Sequence, residues 1–167
     1  MDDAVRPSLD CHGGRMTRPP LADVPVRTAA DLPRRWATLL DPPVFSARSL
    51  WLTWFDDEGL MSPIVVPVDE LPALPDLRTL RGLLTLHDTV AEQIGWADGH
   101  LALALCRPGP AECSDDDGEW AEGLAAELED TIDGTWSLHL AAAGQVVPVV
   151  APPRSRCAVT LGTSTIG

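Results

Sequence analysis

LALALCRPGPAECSDDDGEWAEGLAAEL, residues 101–128, reads as an apolar strand, a short loop and an acid-headed helix. The run Leu101–Cys106 has no polar position at either parity, which suits a strand buried on both faces of a layered α/β sheet. Arg107-Pro108-Gly109 ends it, and Asp115-Asp116-Asp117 stand at the head of a helix expected over Gly118–Glu129. Trp120, Leu124 and Leu128 recur at i, i+4 and form its apolar seam. Carboxylates at a helix start accept free backbone N–H groups and meet the positive end of the dipole. A calcium loop alternates acids with spacers and closes on a Glu after a glycine, which this segment does not do. Helix capping is therefore the reading of the three aspartates. A loop at the carboxyl end of a central strand is where open α/β sheets place their sites.

Working outward, SLWLTWF (49–55), the turn Asp56–Gly59 and the return Pro63–Val68 predict a hairpin, with Pro67 marking an edge or a bulge. Both faces of the first strand are apolar. Trp51 and Trp54 can stack a base, but packing between layers is the reading preferred for them. Leu80, Leu84, His87, Ala91 and Ile94 carry helical spacing through a helix expected over Leu77–Trp96. His87 sits on or beside that stripe as a satisfied core histidine, and its neighbour Asp88 does not face it. Upstream, residues 29–43 predict a short helix capped by Asp31 and stopped at Asp41-Pro42-Pro43, with Trp36, Leu39 and Leu40 buried. Downstream, Thr135–Ala142, a turn at Ala143-Gly144 and Gln145–Val150 predict a second hairpin. The fold class expected is α/β (α+β), one three-layer-like domain with a mixed central sheet of about five strands flanked by helices.

The chain has 167 residues and a formal charge of −13. That length suits one domain, taken as residues 28–150 between a flexible arm (1–27) and a C-terminal tail (151–167). Its Arg residues are scattered, and without clustered cations no nucleic-acid surface is expected. The absence of Lys, Asn and Tyr alongside plentiful Arg, Ala, Pro and Gly reads as a high-G+C bacterial genome. Cys11, Cys106, Cys113 and Cys157 form no CxxC pair, so reduced thiols are expected. Cys11-His12 has no partner ligand at a recognised spacing. With no apolar leader and no membrane-length run, a cytoplasmic location is expected.

Phosphate-loop, dinucleotide, nucleophile-elbow and zinc-protease motifs are all missing. The histidines at 12, 87, 100 and 139 are dispersed. A Cys106, His139 and Asp117 set can be assembled only on paper. Glu58, Glu70 and Asp115–Asp117 could supply paired carboxylates, but nothing in the sequence marks them as close.

The order hairpin, helix, apolar strand, loop with Pro-Gly, Ser-x-x-Asp, helix, hairpin resembles the RadC-like branch of the JAB/MPN (deaminase-like α/β) family, over residues 49–150 or so. Members carry a His-x-His-Pro-Ser-Gly loop, a Pro-Ser-x-x-Asp helix start, and a strand with Asp-His leading to a Gly turn. Here Arg107-Pro108-Gly109 stands in the loop, Ser114 and Asp117 match Ser-x-x-Asp, and His139 and Gly144 fall at the later His and turn. The resemblance implies a zinc site built from two loop His and the Asp, with an upstream Glu as base. Leu105 and Arg107 occupy the His positions, and neither is a zinc ligand; Glu70 is the nearest remnant of the acid. The implied protein is a metal-free, cofactor-free domain that binds a protein partner or a ligand through Arg107, Ser114, Asp117 and His139, with no catalytic residue. Its expected loop contact is an Arg107–Asp117 salt bridge in place of the metal. Two other readings stand beside it. One is a hydrolase using Cys106 or Cys113 with His139 as base; the other is an acidic structural protein that meets a basic partner.

Overall fold

A computed structural model describes residues 23–153. Cys11, His12, Cys157, most of the expected arm and the tail from residue 154 lie outside that range. Within it the order is α1 (Asp31–Leu39), β1 (Ser49–Phe55), β2 (Met61–Val68), α2 (Leu77–Ile94), β3 (His100–Cys106), α3 (Asp115–Leu128), β4 (Thr135–Ala142) and β5 (Gln145–Val150). The strands form one mixed sheet in the order β2-β1-β3-β4-β5. β3 and β4 run parallel through the α3 crossover, and every other neighbouring pair is antiparallel. This is the α+β architecture expected, with five strands and helices on both faces.

Strand parity decides the layers. Leu101, Leu103 and Leu105 of β3 join Leu50, Leu52, Trp54, Trp136 and Leu138 against α2 and α3. The alternate residues Ala102, Ala104 and Cys106 face the opposite way, packed with Leu32 and Trp36 of α1 and with Leu40 just after it. On that face α1 comes nearest to β5 and β4. Burying one such leucine stabilises the fold by roughly 1.5–3 kcal/mol, which is why an all-apolar strand belongs at the centre. Pro67 lies in β2, an edge strand, and a register irregularity falls between Thr53 and Phe55 of its partner.

Helix ends differ in instructive ways from the sequence reading. Ala30, not Asp31, is the N-cap of α1. Asp31 sits inside the first turn, and its carboxylate accepts the backbone N–H groups of Arg27 (3.0 Å) and Thr28 (2.9 Å). The buried stripe of α1 is Leu32, Arg35 and Trp36, continued at Leu40, whereas Leu39 is half-buried. α3 begins three residues before the expected Gly118, because Ser114 caps it. α2 ends at Ile94, where Gly95 takes the left-handed conformation that closes a helix. Among the described residues no helix is long and apolar enough to cross a membrane.

Candidate functional site

The loop that leaves β3 folds back over its first residue. Arg107 is only 6 % exposed, and a buried guanidinium must find acceptors for its five donors. Its Nε donates to Asp117 Oδ1 (2.8 Å) and Oδ2 (3.0 Å), and Nη2 donates to Asp117 Oδ2 (2.5 Å). Nη1 donates to the carbonyls of Pro108 (3.0 Å) and Pro110 (2.9 Å), and Nη2 also to that of Glu112 (2.8 Å). Every donor is used. Gly109 adopts a φ of +95°, and a Cβ there would lie 3.3 Å from Arg107 Nη1, so glycine lets the loop close over the side chain. The arginine is thus a bolt through the loop, with no N–H left for an incoming anion.

Asp117, fully buried, is the other half. It completes a capping box: Ser114 Oγ accepts its N–H at 3.3 Å, and its Oδ2 accepts the Ser114 N–H at 2.9 Å. Arg48 Nη1 reaches Oδ1 at 3.3 Å. Burial pushes this carboxyl up. The Arg107 guanidinium and the Ser114 donors overcome that and hold it down at about 2. The same pairing raises Arg107. Of the three aspartates only Asp117 is buried; Asp115 is exposed and Asp116 approaches Arg48 at 3.9 Å. Ser114→Ala removes one side of the box and is expected to lower stability by about 1 kcal/mol in urea unfolding, with the zone around Arg107 unchanged in amide spectra.

The expected set separates into two places. Arg107, Ser114 and Asp117 converge between the sheet and α3. His139 instead pairs in register with Ala104, on the α1 face of the sheet. It is fully buried, and neither ring nitrogen has a hydrogen-bond partner, nor does Trp36 Nε1 of α1. Burial, assisted by nearby His100, holds His139 at about 4, a neutral imidazole. The paper triad fails on the same geometry. Asp117 lies across the sheet, and the Cys106 thiol, pushed up to about 12 by burial, donates weakly to the Ala104 carbonyl at 3.7 Å. Cys106 and Cys113 are both free thiols. Glu70 is exposed on the loop after β2. Leu105 is core. Among the described residues no three His, Cys, Asp or Glu side chains group closely enough to hold a metal ion.

His87 accepts the Trp54 indole N–H at Nδ1 (3.1 Å) and stacks on that ring, so both belong to packing. The polar row Thr135, Ser137 and His139 went unread in sequence. Period-two spacing on β4 puts all three on one face, and His100 bridges the first two, Nδ1 to Thr135 Oγ1 (2.7 Å) and Nε2 to Ser137 Oγ (2.8 Å). His100 is itself held at about 4 by burial. It lines an open cleft of about 620 Å³ at the amino end of β3, roughly 20 Å along the strand from Arg107. Gly59 shapes one wall: its φ is +83°, its carbonyl accepts the Val26 N–H at 2.8 Å, and a Cβ would stand 2.1 Å from the Val26 carbonyl oxygen. Comparison with family models, with curated proteins and with solved structures gives no match to this chain.

Proposed function

We propose that this chain is a non-catalytic JAB-like domain that serves as a binding or regulatory module. One observation carries the reading: a buried guanidinium with all of its donors satisfied stands beside the single aspartate of the Ser-x-x-Asp pair. In the RadC-like pattern that aspartate would share a zinc ion with two loop histidines. Here Arg107 supplies a fixed positive charge at the same aspartate, so the loop stays closed without a metal. A guanidinium stays protonated across the physiological range, and it can neither ligate a metal nor act as a base. The scaffold is kept while the chemistry is replaced by an internal ion pair. A structural role for Arg107, Ser114 and Asp117 follows, which leaves partner recognition to other surfaces.

Zinc titrated into the full chain is expected to give no stoichiometric binding below micromolar dissociation constants by calorimetry. One zinc bound at sub-micromolar affinity, and lost in Asp117→Asn, would overturn the proposal.

A further inference from the structure

The described chain ends inside its own cleft. Pro152 and Pro153 line it together with Val26 and the edge of the buried Phe55. The rim carries Asp57, Glu58 and Asp98, all exposed, against one guanidinium, Arg27. Asp56 is spent on its own turn, accepting the N–H groups of Glu58 and Leu60. The next residues in sequence are Arg154-Ser155-Arg156-Cys157, followed by Ala158-Val159-Thr160-Leu161.

We propose that the segment Arg154–Leu161 docks in this cleft, with Arg154 and Arg156 on the acidic rim and the small apolar residues after them against the half-buried Val26. Reach permits it. Three residues span at most roughly 10 Å, so both arginines stay within side-chain distance of a cavity whose wall is Pro153 itself. Tethering favours it as well, since a ligand held on so short a leader has an effective concentration in the millimolar range. Charge complementarity selects this segment, because it brings two cations to a rim with three exposed carboxylates. The cleft is then a self-occupied site. This inference stands independently of the Arg107 reading, and zinc binding would leave it untouched.

The test uses the full chain, labelled with ¹⁵N, as wild type and as the Arg154→Ser/Arg156→Ser variant. Urea unfolding of both proteins checks that the substitutions leave the fold intact. In the wild type, backbone order parameters for 154–161 are expected near 0.8, falling below about 0.6 in the variant. The amides of Asp57, Glu58, Asp98 and His100 should shift between the two proteins, while those of Leu74 and Leu77 on another surface stay put. A wild-type tail already below about 0.6 would overturn the proposal, as would cleft amides that ignore the substitution. Two further outcomes also count against it. If Arg6, Arg15 and Arg18 replaced by Ser move the cleft amides instead, the N-terminal arm is the occupant; if the cleft shifts depend on protein concentration, a second copy is.

Discussion

Asp117→Ala is expected to lower the unfolding free energy by about 3–5 kcal/mol, the range for stripping one partner from a buried ion pair. Total stabilities of single domains lie near 5–15 kcal/mol, so the variant should stand close to its unfolding midpoint in mild urea. The loss has two sources. Arg107, 6 % exposed, would keep its charge with no anion beside it, and α3 would lose half of its capping box. Arg107→Met should cost less. Asp117 would keep the Ser114 N–H and Arg48 Nη1, whereas Arg107 has no other carboxylate within salt-bridge distance among the described residues. The double variant Arg107→Met/Asp117→Leu removes both charges, and its cost should fall short of the sum of the singles by about 1–3 kcal/mol. Simple additivity in that cycle would sink the bolt interpretation.

The same pair sets an acid limit. Asp117 is held at about 2, below its ordinary 3.8. A depressed carboxylate contributes stability that is complete above the unfolded value and is lost as pH falls through the folded one. The window for this group is therefore pH 4 down to 2.

Much of this architecture can be read from period alone. The all-apolar parity of Leu101–Cys106, the turn at Ala143-Gly144 and the i, i+4 seam of Trp120, Leu124 and Leu128 each have one good physical solution. The family pattern singles out Asp117 and an Arg107 partner, yet neither periodicity nor capping shows that this aspartate alone of the three is fully buried. That depends on Arg107 arriving from ten residues away, a tertiary fact. The phase of α1 was missed for a related reason. Leu39 looks like stripe material, but Leu32, Trp36 and Leu40 fix the buried face, and Arg35 joins them. A short helix offers too few turns for its apolar residues to settle the phase. His139 was grouped with Arg107 by similarity of motif, while strand parity assigns it to the other face. The cleft was illegible because residues from five separate segments of the chain compose it.

That buried histidine yields the second large effect. His100 and His139 are both held at about 4, against 6.5 for the free side chain, with burial the leading cause in each. Below pH 6.5 the unfolded chain takes up these protons and the native chain does not. Stability from this source is thus fully present above pH 6.5 and drains away as pH falls to 4. The limit is on the order of 3 kcal/mol for each histidine. The two are coupled, since His100 itself disfavours charge on His139, so that share of the loss is felt only where both rings would be charged. His87 is lowered as well, chiefly by burial, and adds in the same direction. Of the three, only His139 has no hydrogen-bond partner at either nitrogen. His139→Leu should therefore stay within about 1 kcal/mol of wild type at pH 7.5, because it removes no bond and changes volume little. At pH 4.5 it should be the more stable protein by about 2 kcal/mol, since no proton is drawn to that position on unfolding. Urea titrations at pH 7.5, 6.0, 5.0 and 4.5 read this directly as a flatter slope for the variant. Parallel slopes for the two proteins would mean that His139 is charged, or hydrated, in the native state.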